Sequence, residues 1–166
     1  MGLKRVYPWN FIDLGINIDE TTLAFLDSAD AIIVNMLPEL AALRNARLLL
    51  DLFYSRGYPK EKIFVVLNRW DMEGGIPAED IEKRLHIKIS FRIPDDQPLA
   101  TYALNRGVPV CMSHPNSALA KSYRDFVRFL LKHCQLPPEL KAVIEQEEET
   151  RSLRERILTR FRRNEG

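Results

Sequence analysis

The stretch Lys62-Ile63-Phe64-Val65-Val66-Leu67-Asn68-Arg69-Trp70-Asp71 constrains the fold of this chain more than any other. Five consecutive apolar residues, without alternation, describe a strand covered on both faces. That is the pattern of a parallel sheet with helices on each side. Polar residues begin where the strand should end. In open α/β sheets ligands lie outside the carboxyl ends of the strands. Asn68 and Asp71 therefore stand either where a nucleotide base can be read or in an ordinary polar turn.

The rest of the chain supplies the other layers. Residues 6–14 read as a first strand, although Pro8 removes a ladder donor. Asp19 or Thr21 caps a short helix through Ala29, with Leu23 and Leu26 on its apolar side. Residues 31–37 form a second buried strand ended by Pro38. A helix follows over 39–55, in which Leu40, Leu43, Ala46, Leu50 and Phe53 recur at helical spacing and Gly57 stops the run. Pro77 opens a helix striped by Ile81 and Leu85. Residues 87–93 alternate and suit a strand nearer the sheet edge. A helix over 98–105 stops at Gly107, and 108–112 reads as short and extended. Residues 117–133 form a long helix with Leu119, Tyr123, Phe126, Val127, Leu130 and Leu131 inward. Alternating strands and helices predict an α/β, three-layer fold with a mostly parallel sheet and right-handed crossovers.

Pro137-Pro138 marks a boundary. It divides an α/β domain over 1–136 from a charged helical tail over 137–166. In the tail Leu153, Ile157, Leu158 and Phe161 share one helical face, flanked by six arginines between Arg151 and Arg163. A basic amphipathic helix can lie on an anionic membrane surface, pair with the acidic run 145–149, or dock on another subunit.

The 166 residues carry a formal net charge of +1, which gives no electrostatic footprint for nucleic acid. No apolar run reaches membrane-spanning length. Two cysteines, Cys111 and Cys134, lack metal-ligand spacing and fit a reducing cytoplasm as buried or partly buried thiols. Cys111 lies three residues from His114, but an apolar run favours an inert thiol. His86, His114 and His133 form no cluster in sequence, so no metal site is expected from them. Trp9 and Trp70 can stack on a base or pack in the core.

Several landmarks occur in one order: Asp13-Leu14-Gly15, Leu37-Pro38-Glu39-Leu40, Val66-Leu67-Asn68-Arg69-Trp70-Asp71, Ile93-Pro94-Asp95-Asp96 and Ala103-Leu104-Asn105-Arg106-Gly107-Val108-Pro109. The set resembles the C-terminal half of a MinD/ParA-type P-loop ATPase, and most nearly the CpaE/TadZ branch associated with pilus assembly and polar localisation. The resemblance implies a truncated P-loop NTPase-like sheet, ATP and magnesium as cofactors, and a homodimer or a partner chain supplying the N-terminal half. It also implies a cytoplasmic protein, peripheral at the inner membrane. Asp13 resembles the aspartate near magnesium and the γ-phosphate, with Gly15 where the family commonly has proline. Asn68 resembles the base-reading asparagine, with Arg69 beside it. Pro94 and Asp95 resemble the loop that packs beside the adenine. Asp13 as a helix cap and Pro94 as a strand end remain the plainer alternatives.

These 166 residues hold no Gly-rich stretch followed by Lys and Ser or Thr, the motif whose backbone amides cradle phosphates. Gly74-Gly75 is followed by Ile76-Pro77. The expectation is a chain unable to hydrolyse ATP alone, arising from a truncated frame, a split protein or a remnant with a new role, truncation leading. A sheet without its usual central strand either exposes two edges or pairs the flanking strands directly. A non-catalytic scaffold that docks a partner or a membrane is the reading from another class.

Overall fold

The protein is described by a computed structural model at residue 7 and over residues 9–15 and 18–134. The chain divides into two compact units, one of residues 18–133 and one combining residues 1–17 with 134–166. Pro137-Pro138, the acidic run and the arginine-rich tail lie outside the described residues.

In the second unit, residues 9–15 are irregular, where the sequence pattern predicts a strand. An isolated extended segment leaves its backbone donors without a ladder, and among the described residues no strand pairs with it. Trp9 and Phe11 instead stack on each other, with ring centroids 5.9 Å apart. Asp13 is exposed in this irregular stretch and does not close a strand.

The unit of residues 18–133 begins with helix α1, Glu20–Ser28. The Asp19 carboxylate accepts from the Thr22 N–H at 2.8 Å, satisfying one of the free amides of the first turn. That bond holds Asp19 below the usual carboxylate range. Strand β1, Ile32–Met36, leads into helix α2, Leu40–Ser55. Strand β2, Ile63–Asn68, is followed by helix α3, Ala78–Leu85, and strand β3, Ile89–Ile93. Helices α4, Gln97–Arg106, α5, Val110–Ser113, and α6, Ala118–His133, complete the described chain.

The three strands form one parallel sheet in the order β1-β2-β3. Central β2 is buried throughout its apolar run, as its composition requires. Its side chains alternate between faces. Val65 and Leu67 join Val34 and Met36, their register partners on β1, on the face that meets α2. Phe64 and Val66 point the other way. Val66 packs with Ile93 of β3 and Leu119 of α6, and the Phe64 ring meets Phe129 of α6 edge-on at 5.5 Å. The fold is therefore three-layered. Strand β3 carries a bulge at Ser90, opposite the Val65–Val66 step. The Ser90 hydroxyl accepts the Val65 N–H at 3.2 Å, taking over a ladder bond that the bulge interrupts.

Strand β1 departs from its expected burial. Ile32, Val34 and Met36 are buried, whereas Ile33 and Asn35 are exposed. The described residues supply a helix to one face only, and none of them forms a strand on the outer edge of β1.

Helix α2 buries Leu43, Ala46, Leu50 and Phe53, but Leu40, in its first turn, is exposed. Two basic side chains cap neighbouring helices: Lys62 Nζ donates to the Leu26 carbonyl at 2.7 Å and Arg47 Nη1 to the Arg84 carbonyl at 2.6 Å. The segment read as extended over 108–112 is helical from Val110. Pro109 fixes its own φ, and its carbonyl accepts from Met112 and Ser113 at 2.9 and 3.0 Å. Cys111 is consequently exposed rather than buried. On α6, Tyr123 and Val127 are exposed, while Leu119, Ala120 and Leu130 form the buried face.

Candidate nucleotide-base site

The carboxyl ends of all three strands are laced together. From β1, the Pro38 carbonyl accepts the Ile76 N–H at 2.8 Å. From β3, the Ile93 carbonyl accepts the Trp70 N–H at 3.0 Å, one step beyond the Asn68–Ile93 register pair. The loop after β2 thus crosses both neighbouring strand ends before entering α3.

Asn68 ends β2 on the same face as Phe64 and Val66, just past the core. It is half-buried, and its amide makes no hydrogen bond to any described residue. An amide offers a donor and an acceptor side by side, the pairing that an adenine edge presents in complement. Asn68 is available for that work.

Arg69 and Asp95 are committed elsewhere. Arg69 adopts a left-handed backbone, φ 53°, which a long side chain seldom takes. This turns the chain sharply out of the strand and swings its guanidinium across to the loop after β3. Arg69 Nε meets Asp95 Oδ1 at 2.8 Å and Nη2 meets Oδ2 at 3.2 Å, a two-pronged pair. Nη2 also reaches Gln97 Oε1 at 3.1 Å. The hydrogen bond to Asp95 pushes the Arg69 guanidinium up, with the charges of Asp95 and Glu39 acting in the same direction. The Asp95 N–H donates in turn to Asp71 Oδ1 at 2.7 Å. Pro94 sits half-buried between Ile93 and this network. Asp96 caps α4 by accepting from the Leu99 N–H at 3.2 Å.

The four residues expected beside a base, Asn68, Arg69, Pro94 and Asp95, therefore share one corner of the sheet. Asp13 belongs to the other compact unit. Trp70 is exposed rather than core, with the Arg92 guanidinium 5.7 Å from its ring centre. Sequence reading missed Gln97, which follows Asp95 by two residues and carries no motif of its own. Glu39 stands in the landmark Leu37-Pro38-Glu39-Leu40, but its charge beside Arg69 is not legible there. Among the described residues no group of three or more His, Cys, Asp or Glu is placed to hold a metal ion.

No protein-family model matches the chain. The septum site-determining protein MinD of Thermotoga maritima is 30% identical over 127 residues, 74% of this chain and 46% of that protein. The crystal structure of a ParA family ATPase from Chlorobium tepidum matches with a TM-score of 0.61 and 33% identity, covering 66% of this chain and 46% of that one. The MinC:MinD cell division protein complex of Aquifex aeolicus matches with a TM-score of 0.57 and 25% identity, over 72% and 50% of the two chains. The chain spans about half the length of each relative. These likenesses make the chain a homologue, at the level of the superfamily, of the MinD/ParA-type ATPases.

Proposed function

We propose that this chain is the base-binding half of a MinD/ParA-type ATPase of the CpaE/TadZ branch, with a role in positioning pilus or secretion assembly or the division machinery. The Asn68 amide at the end of the central strand, without a hydrogen bond among the described residues, carries this reading. Asn68 reads the adenine edge, while Arg69, Pro94 and Asp95 shape the wall beside it. Phosphates and magnesium are held by a phosphate-binding loop that these 166 residues do not contain. It comes from a separate chain or from the rest of a longer protein, and Asp13 joins the magnesium side there. Alone, the chain binds ATP weakly and does not hydrolyse it, because most nucleotide contacts come from the phosphates. Nucleotide-dependent dimerisation belongs to the assembled protein.

Titration of the pure chain with a fluorescent ATP analogue and magnesium tests this reading. Saturable binding weakened by Asn68→Ala supports it. Absence of binding by folded protein overturns it, and so does magnesium-dependent hydrolysis by the pure chain.

One observation favours a second reading, a non-catalytic scaffold. Strand β1 presents an edge that no described strand pairs, with Ile33 exposed beside it. Such an edge invites another chain. In either reading the arginine-rich tail over 137–166 is a separate element that docks on an anionic membrane or a partner. No helix among the described residues is long and apolar enough to cross a membrane. Loss of liposome co-sedimentation on deleting residues 151–166 is the expected result for membrane docking.

A further inference from the structure

Helix α2 buries Leu43, Ala46, Leu50 and Phe53 and turns its other side away from the sheet. That side is not an ordinary polar helix surface. Ala41, Asn45, Leu48 and Leu52 recur on it at intervals of four, three and four residues, the spacing of a coiled-coil seam. Leu48, at the middle, is 61% exposed. Ala41 and Asn45 are exposed and Leu52 is half-buried. Arg44 and Asp51 flank the seam on one side, seven residues apart and so about two helical turns apart. Arg44 is exposed, and its guanidinium makes no hydrogen bond or ion pair to a described residue. Asp51 accepts from Arg47 Nε through Oδ2 at 3.2 Å, which leaves Oδ1 without a partner among the described residues.

We propose that this face of α2 binds the same face of a second copy of the chain, as an antiparallel pair with two-fold symmetry. The charges select both the occupant and its direction. Across an antiparallel seam, flanking positions of the same type meet each other. Arg44 of each copy then lies against Asp51 of the other, and symmetry makes the attraction twice. A parallel pair sets Arg44 against Leu49 and matches Asp51 only with Arg56, past the last helical residue. The antiparallel pair also complements in size, because Ala41 meets Leu52 of the second copy and Asn45 meets Leu48. An asparagine in such a seam fixes register at some cost in stability. Both copies of Leu48 leave water. Four turns of helix make a small interface, so the dimer is weak and reversible. The contact needs no nucleotide and does not rest on the reading of the Asn68 corner.

Sedimentation equilibrium of the full chain, without nucleotide and at rising protein concentration, tests the proposal. It is run in the Ile33→Lys background, so that pairing through the edge of β1 does not contribute. A monomer–dimer equilibrium is expected. Leu48→Ala, Arg44→Asp and Asp51→Arg each weaken it about tenfold, the last two by setting like charges together at both contacts. All three change exposed side chains, and melting temperatures near that of the background chain confirm that the fold is kept. An equimolar mixture of the Arg44→Asp and Asp51→Arg chains regains the affinity of the background pair, because opposite charges then meet at both contacts. A parallel pair or a contact elsewhere on the chain gives no such rescue. A chain that stays monomeric at high micromolar concentration overturns the proposal. So does a dimer that Leu48→Ala and Arg44→Asp leave unchanged, or a mixture that pairs no better than its separate components.

Discussion

Gly75 lies against Pro38 so closely that a Cβ on it would stand 3.0 Å from the proline Cγ and 3.1 Å from the Met72 carbonyl oxygen. The loop after β2 is thus pressed onto the end of β1, where the Ile76 N–H bonds the Pro38 carbonyl. Gly75→Ala needs room that neither the proline ring nor the backbone can give easily. Thermal or urea denaturation should show a loss of about 1–3 kcal/mol, typical of overpacking.

Leu67 is fully buried on the α2 face of the central strand. Leu67→Ala removes its contacts from the densest part of the unit and leaves a cavity that the sheet cannot collapse around. The expected cost is about 2–5 kcal/mol by urea denaturation. A smaller cost at Ile33→Ala, on the bare face of β1, would confirm that burial and not strand position sets the difference.

Acid sensitivity should trace in part to Glu82. Its carboxylate accepts from Lys88 Nζ at 2.7 Å and from the Ile89 N–H at 3.0 Å, and these bonds, the lysine first, hold it below the usual glutamate range. A carboxyl depressed on folding contributes stability that is present above its unfolded value and lost as pH falls through its folded value. Glu82→Gln should therefore lower stability at neutral pH and flatten the decline below the ordinary glutamate range. Denaturation midpoints between neutral pH and pH of about 3 check this.

The edge of β1 that no described strand pairs predicts concentration-dependent association. The strand has no charge, proline or bulge to blunt it, and Ile33 adds apolar surface. Ile33→Lys should reduce self-association in sedimentation velocity while leaving the melting temperature nearly unchanged.

Much of this architecture is legible in the amino-acid sequence. The unbroken apolar run at 63–67 specifies a central strand covered on both sides, and Asp19, Pro77 and Gly107 mark helix boundaries within a residue or two. Asn68, Arg69, Pro94 and Asp95 can be grouped because parallel strands bring their carboxyl ends together. What escapes depends on neighbours that sequence does not reveal. Ile33 and Asn35 lie in an apolar run, yet both are exposed, on a face that the described residues leave largely uncovered. Residues 108–112 have strand-like composition, yet Pro109 starts a helical turn. The left-handed Arg69 carries no signal at all, because its conformation is sustained by Asp95, a residue 26 positions away.

The central claim is that Asn68 reads an adenine. Chemical-shift mapping with adenosine, which has no phosphates, tests it most directly, since the phosphate loop is then irrelevant. The account predicts that adenosine, and not guanosine, shifts the Asn68 side-chain amide together with the backbone amides of Arg69 and Asp95, and that Asn68→Ala abolishes the response. Shifts confined to other parts of the chain, or none from folded protein at millimolar adenosine, would contradict it.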